Sequence, residues 1–364
     1  MKRLKYLLVL LLLIGFSSCK EEGPVHGDNG DIEIPAGEWK LLGLENETIT
    51  SIAVHPRNPK IIYAGSASDF SAGKIGYLFK TTNFGQSWDT LIAGRAFSDI
   101  VIHPSNPEIV YTSPHHLIKS SNGGLTWQLI TNGIRIDWET RVSSLVLDPN
   151  NTNIMYAGTG GFFGGRIYKS TNGGESWEDI SRDSLTDGVI SLAIDPNNSN
   201  VLYAGTAWRG ILWKTTNAGK TWFRTGLGET NSLIDAVAVS PFKSFNKNTV
   251  YASVRYAIGG RFRGLYKSID GGIRWEKTQI PDSIGVSTIL FSKSQPNIIY
   301  LATVYGCIMM NDRGNLYWYY LNEGLERFRF KSFNTINFTR NEIYLLAGRT
   351  EGIEKGGIYV RRIR

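Results

Sequence analysis

The chain runs to 364 residues, with 39 Lys and Arg against 32 Asp and Glu, a net charge of +7. Its basic residues are scattered rather than gathered into a patch, which speaks against a nucleic-acid partner and leaves weak affinity for acidic surfaces. Two cysteines, Cys19 and Cys307, allow no internal disulfide once the first is acylated, as expected below, so the fold must rest on packing.

Residues 1–18 read as an export signal. Lys2, Arg3 and Lys5 form a basic head and Leu7 to Ile14 an apolar run too short to cross a bilayer comfortably. Phe16-Ser17-Ser18-Cys19 resembles a lipobox, which implies cleavage before Cys19 and lipidation of that residue. The acidic step of Lys20-Glu21-Glu22 resembles the export tag of surface lipoproteins. The expected location is therefore the outer membrane, with surface exposure. Residues 19–36 are a polar spacer rich in Gly, Asp and Asn, expected to be a flexible tether. Removing the leader takes three basic residues away and leaves +4. The tether carries one Lys and five acids, so the body from residue 37 onward holds about +8.

From residue 37 the chain repeats. Runs such as Ser51-Ile52-Ala53-Val54-His55-Pro56 lead to tyrosines at 63, 111, 156, 203, 251, 300 and 344, which recur every 44 to 49 residues. That period and its short β-rich segments predict an all-β chain, a seven-bladed β-propeller of four-stranded blades over 37–364. In each unit an alternating strand A, such as Ser191 to Ile194, meets an Asp195-Pro196-Asn197-Asn198 turn. Strand B follows at Val201 to Gly205, and strand C at Gly210 to Lys214. A hairpin then leads to strand D at Trp222. The last unit ends before its hairpin, while Gly37-Glu38-Trp39-Lys40-Leu41-Leu42 matches the start of a strand D such as Glu175 to Ile180. Residues 37–43 are thus expected to complete the last blade and close the ring, leaving no exposed edge at the seam. Cys307 opens strand C of the sixth unit and is expected to be a buried small hydrophobe.

The hairpin carries the most regular signature, Ser/Thr-x-Asn/Asp-x-Gly-x-x-Trp. It spans Thr81 to Trp88, Ser120 to Trp127, Ser170 to Trp177, Thr215 to Trp222 and Ser268 to Trp275, with a worn copy from Met310 to Tyr317. Four of the five good copies hold Asn (83, 122, 172, 217) and one holds Asp270. A catalytic carboxylate or calcium ligand would not survive that exchange, but a hydrogen-bond acceptor would. The motif is therefore expected to fasten its own hairpin, with the Gly at positive φ and the Trp covering the turn.

The motif and the Asp195 to Thr206 run resemble the Asp-box, or BNR, repeat. Similar repeats occur in sialidases, xyloglucanases, sortilin-type receptors and a photosystem II assembly factor. The likeness spans 37–364 and bears on fold far more than on function. A sialidase-like chain should carry an Arg-Ile-Pro signature and six blades, but Arg135-Ile136-Asp137 lacks the Pro. Xyloglucanases work between two such propellers, and the repeats here make one. The assembly factor is similar to this chain in size and in being a single ring.

The A–B turns and tryptophan hairpins should share one face, leaving the B–C and D–A loops on the other. Those loops vary most, and variable loops on a rigid scaffold are where binding is expected. Their candidates are Trp138, Arg141, Phe162, Trp208, Arg209, Arg263 and Tyr305, an aromatic and guanidinium set suited to sugar rings or a protein interface. If the chain is instead a glycoside hydrolase, Asp137, Asp187 and Asp235 are the acids to consider. His115 and His116 are adjacent, and on a strand would point apart rather than share a metal. Gly160 to Gly165 has no following helix or P-loop Lys and is read as a loop, not a phosphate cradle. The expectation is a monomeric, envelope-anchored binding propeller with no cofactor and no metal. It would hold a polysaccharide or envelope protein, with assembly factor and glycoside hydrolase as alternatives.

Overall fold

The computed structural model describes residues 37–363 apart from the segments 69–72, 136–139, 161–163, 182–184, 186, 229–231, 243–247, 256–262, 293–294, 296, 304, 312–316, 323–329, 338–342 and 350–355. The expected leader and tether, with Cys19, and the centre of the worn hairpin copy lie outside the described residues. The chain divides into two units, Met1–Glu33 and Ile34–Arg364, and all the described residues belong to the second.

Every regular element among the described residues is a strand, starting with β1 (Trp39–Gly43). Blade 1 is β2–β5 (Ile49–Val54, Ile62–Ser66, Gly76–Thr81, Asp89–Gly94), and blade 2 is β6–β9 (Ile100–Ile102, Val110–Thr112, Ile118–Ser120, Gln128–Leu129). Blade 3 is β10–β13 (Arg141–Leu147, Met155–Gly160, Ile167–Ser170, Glu178–Asp179), and blade 4 is β14–β17 (Val189–Asp195, Asn198–Thr206, Leu212–Thr215, Phe223–Arg224). Blade 5 is β18–β21 (Leu233–Val239, Val250–Arg255, Gly264–Ser268, Glu276–Lys277), and blade 6 is β22–β25 (Val286–Phe291, Ile298–Thr303, Gly306–Asn311, Tyr317–Tyr320). The last three strands, β26–β28 (Phe330–Asn337, Ile343–Arg349, Gly357–Arg362), share a sheet with β1. The described residues thus form seven four-stranded antiparallel sheets, six of them in chain order and one in the order β1-β28-β27-β26.

These sheets make a propeller of four-stranded blades. The innermost strands touch in succession from β2 through β6, β10, β14, β18 and β22 to β26, and β26 touches β2. β1 pairs antiparallel with β28, Trp39 opposite Arg361 and Leu41 opposite Tyr359. Trp39 packs with Ile298, Tyr300, Ala302, Cys307 and Leu321 of blade 6, and its indole donates to the Leu321 carbonyl. Cys307 is fully buried in that cluster.

The core lies between blades, because each sheet is apolar on both faces. Tyr63, Tyr111, Tyr156, Tyr203, Tyr251 and Tyr300, from the six B strands, are among the largest fully buried side chains. Three of these hydroxyls reach a carbonyl of the neighbouring blade. Tyr63 donates to the Gly123 carbonyl of the next blade's hairpin at 2.8 Å, Tyr111 to Gly173 at 3.2 Å and Tyr203 to Gly271 at 2.8 Å. Strand-C lysines aim at the same carbonyls: Lys80 at Gly123, 2.7 Å, and Lys214 at Gly271, 2.7 Å. Burial pushes Tyr63, Tyr111 and Tyr156 up to about 12, so these phenols remain protonated donors.

The hairpin motif works as an acceptor device. In blade 1, Asn83 Oδ1 accepts from Thr81 Oγ1 at 2.8 Å and from the Ser87 N–H at 3.0 Å, while Thr81 Oγ1 accepts from the Gly85 N–H at 2.9 Å. Asp270 repeats the geometry, accepting the Arg274 and Ile273 N–H groups at 2.9 and 3.0 Å. Those backbone bonds hold its carboxyl below the usual range. Two consecutive residues take positive φ, Gly271 at 75° and Gly272 at 90°, while Phe84 (57°) and Ala218 (56°) fill the first place without being glycine.

The tryptophans depart from expectation. Rather than only covering its own turn, the indole reaches back to the preceding sheet. Trp88 Nε1 donates to the Leu42 carbonyl at 3.1 Å, Trp177 to Ile130 at 2.9 Å and Trp222 to Ile180 at 3.0 Å. Trp127 instead donates to Gly124 within its own hairpin. The hairpins of blades 1, 3 and 4 thus give an indole N–H backward, and those of blades 2, 3 and 5 receive Tyr and Lys donors on a glycine carbonyl.

A second ring of seam bonds lies at the innermost strands. Ladders shift register near the start of six of the seven inner strands, around Thr50, Ser143, Ile190, Asp235, Ser287 and Lys331, while β6 shows no shift. The hydroxyl just after the bulge donates to the next blade: Ser51 to the Phe97 carbonyl at 2.8 Å, Ser191 to Ile234 at 2.7 Å. Blade 2 puts a carboxyl, Asp99, at this place, and its Oδ2 accepts the Leu145 N–H of blade 3 at 2.8 Å. Protein atoms packed around Asp99 push its carboxyl up to about 7, against the pull of the Leu145 and Ser144 hydrogen bonds.

Candidate functional site

The two faces sort as the loop lengths suggest. The hairpins hydrogen-bond to the chain just before strand B of their own blade, Phe84 N–H to the Lys60 carbonyl and Gly173 N–H to Asn153, each at 2.9 Å. Side chains close the A–B turns on this same face. Asp148 and Asp195 accept the Asn150 and Asn197 N–H groups at 2.8 Å. His55 and His103 play the same part through Nδ1. Burial holds both imidazoles below the ordinary histidine value, consistent with neutral acceptors.

On the opposite face, the sharpest local geometry is at Ala207-Trp208-Arg209. The Arg209 N–H donates to the Ala207 carbonyl at 2.8 Å, and Trp208 between them has φ +65°. This is a γ-turn of the positive-φ kind, a strained conformation for a bulky residue. Its side chain is 59% exposed, so core packing does not explain the strain. The loop is held at both ends. Ala207 N–H donates to the Gly188 carbonyl at 2.8 Å, and a Cβ on Gly210 (φ +53°) would stand 1.9 Å from Ser232 Oγ of blade 5. The turn therefore presents Trp208 from a fixed base.

Beside it Arg209 pairs with Asp187 at 3.5 Å, the guanidinium 58% exposed and the carboxylate 16%. Burial pushes the Asp187 carboxyl up, and the charges of Arg209 and then Arg224 oppose that push. On blade 5 Asp235 is the bulge residue of β18 and is gripped by both arms of Arg255, with Nη2 to Oδ1 at 3.0 Å. Here too the carboxylate lies underneath, 12% exposed against 54% for the arginine. Asp187 and Asp235 thus arrive already paired, and the outer surface at these two sites is guanidinium.

Of the sequence candidates, the structure brings together Trp208, Arg209 and Asp187. Asp235 sits on the neighbouring blade with Arg255, which sequence reasoning missed. Arg255 ends strand β19 and reads there as an ordinary strand residue; only the register, Leu233 opposite Arg255, sets it beside the bulge. Arg141 begins β10, Arg263 leads into β20 with its N–H on the Tyr266 hydroxyl at 3.2 Å, and Tyr305 lies exposed in the β23–β24 turn. Asp137, Trp138 and Phe162 lie outside the described residues. His115 and His116 occupy a bend rather than a strand, and their rings face each other at 4.5 Å instead of pointing apart. Among the described residues no group of three or more His, Cys, Asp or Glu could hold a metal ion.

Fold and site together define a β-propeller with a rigidly presented aromatic and arginine surface on one loop face. No family model and no curated protein matches the sequence. Solved structures do resemble it. The GH74 enzyme of Niastella koreensis superposes with a TM-score of 0.63 at 19% identity, over 85% of this chain and 51% of that one. The GH74 xyloglucanase from Xanthomonas campestris gives 0.61 at 14%, over 87% and 60%. YCF48 bound to D1 peptide gives 0.58 at 15%, over 91% and 99%. This chain spans only 51% and 60% of the two GH74 proteins. At such identities the likeness establishes a shared propeller fold.

Proposed function

We propose that this protein is an envelope-anchored lipoprotein whose Asp-box propeller, a seven-bladed ring closed by β1, binds a polysaccharide or an envelope protein through its B–C and D–A loop face. In this reading 1–18 is the signal, 19–36 the tether from lipidated Cys19, and 37–364 the propeller. The observation that carries the binding role is Trp208, held at positive φ at the apex of a γ-turn and 59% exposed. An exposed indole beside a guanidinium suits stacking and hydrogen bonding to a ligand. Arg141, Arg263, Tyr305, Trp138 and Phe162 would extend the surface around it. Among the structural neighbours, one is a xyloglucanase and another is bound to D1 peptide, so this fold supports both kinds of partner.

The test is a glycan array and an envelope-protein interaction screen on residues 20–364, compared with Trp208→Ala. Loss of binding at unchanged melting temperature is the expected outcome; a ligand held equally by both proteins refutes the role of Trp208. A hydrolase reading, with Asp137, Asp187 and Asp235 as its acids, draws on the raised Asp187 carboxyl, which a proton donor would need. Glycoside turnover abolished by Asp187→Asn would establish that reading instead.

A further inference from the structure

Among the five well-formed hairpins, on the face away from Trp208, those of blades 4 and 5 depart furthest from the polar pattern. The residue after the hairpin tryptophan is Asp89, Gln128, Glu178 and Glu276 in four blades, but Phe223 in blade 4. The second hairpin residue is Thr82, Ser121, Thr171 and Thr216, but Ile269 in blade 5. The seventh is Ser87, Thr126, Ser176 and Thr221 against Arg274, and the one before it is Gln86, Leu125, Glu175 and Lys220 against Ile273. Blade 5 alone among these hairpins sets two large apolar residues at its tip. Phe223, Ile269 and Ile273 remain 45%, 52% and 75% exposed. Phe223 and Ile269 replace polar residues at solvent-facing places, and Ile273, whose place is apolar elsewhere only at Leu125, adds a second large apolar residue to the blade 5 hairpin; none gains burial from it, the signature of a surface that another molecule covers.

Contacts place them at a single seam. Lys214 Nζ lies 6.0 Å from the Phe223 ring and donates to the carbonyl of Gly271, midway between Ile269 and Ile273 in the hairpin. A cleft of about 320 Å³ opens at the same seam, lined by Asp195, Asn197, Asn198, Tyr203, Lys214 and Asn248, with Val201 as its one aliphatic residue. Its aromatic ring, Tyr203, is 2% exposed with its hydroxyl on Gly271, so it offers no face for a sugar to stack on. The carboxyl of Asp195 and the amine of Lys214 make it a poor home for an acyl chain. Amide side chains at the rim and a carboxylate within match the alternating donors and acceptors of a peptide backbone, and the isoleucines and Phe223 match apolar side chains on either side.

We propose that the blade 4–blade 5 seam on the tryptophan-hairpin face is a docking site for an extended segment of a partner polypeptide, separate from the Trp208 surface. Backbone amides of that segment would enter the Asn-rich cleft, and its apolar side chains would cover Phe223, Ile269 and Ile273.

The probe is a library of linear peptides displayed on phage, selected on folded residues 20–364. The comparison protein is the triple variant Phe223→Glu, Ile269→Thr and Ile273→Glu, which restores the blade 3 residues at these places and so keeps the hairpin intact; its melting temperature serves as the folding control. The expected result is enrichment of apolar-flanked peptides whose affinity falls at least tenfold in the triple variant and is unchanged in Trp208→Ala. Their amide protection should map to 195–203 and 269–273 by hydrogen exchange. Peptides that bind the triple variant equally, or no enrichment over an unrelated propeller, overturn the proposal. Self-association in sedimentation that the triple variant abolishes would assign the patch to a second copy and equally overturn it. Failure of Trp208→Ala to lose its own ligand bears only on the loop face.

Discussion

Asp99 gives the propeller a stability that depends on pH near neutrality. It stands where neighbouring inner strands place a hydroxyl, accepts the Leu145 N–H across the seam, and has its carboxyl pushed by burial up to about 7 from the ordinary 3.8. Because the folded value is raised, the stabilising contribution is fully present below about pH 4 and is lost as pH rises through about 7. Between about pH 5 and pH 8.5 the ionisation penalty spans roughly two units, so about 3 kcal/mol of stability should disappear. Asp99→Asn keeps an oxygen to accept the Leu145 N–H and cannot ionise, which makes it a close mimic of the protonated acid. Urea denaturation of both proteins at these two pH values measures the difference. The variant is expected to gain on the parent by about 3 kcal/mol on going to the higher pH. A stability difference that does not change with pH would refute the reasoning, since lost packing alone does not titrate.

Three further outcomes test the seams. Trp177→Ala should lower stability by about 3–5 kcal/mol, because it empties a buried site and strips the Ile130 carbonyl of its indole donor. Ligand affinity per folded molecule should be unchanged. Ala218→Gly should raise stability by about 0.5–1 kcal/mol in the same denaturation assay, since relief of a left-handed residue outweighs the entropy that glycine adds to the unfolded chain. Any loss would show that the Ala218 methyl packs usefully. Deletion of 37–43 removes the partner of β28 and the Trp39 anchor in blade 6, so calorimetry should show a lower, broader transition. Unchanged cooperative melting would refute the closing role of that strand.

Local spacing made much of this molecule legible before any coordinates. Pro-Asn turns, the Ser/Thr-x-Asn/Asp-x-Gly hairpin and the recurring tyrosine each specify a conformation within a few residues, and short-range hydrogen bonds such as Asn83 to Ser87 carry that information whatever surrounds them. The Asn-for-Asp exchange correctly marked the motif as an acceptor, and the match of Trp39 to later tryptophans pointed to the strand that pairs with β28. Three things depended on distance through space. The indole bonds cross to a neighbouring blade because blades pack face to face around the ring, an angle no local pattern encodes. Asp187 with Arg209, and Asp235 with Arg255, become ion pairs only when loop ends and bulge register bring together residues about 20 positions apart. Phe223, Ile269 and Ile273 read as ordinary apolar residues in sequence, and only the fold leaves all three in solvent, with Lys214 reaching both the Phe223 ring and the Gly271 carbonyl of the isoleucines' hairpin. The sequence determined the repeating unit because its bonds are local; the tertiary structure decided the surfaces because they are assembled from different units.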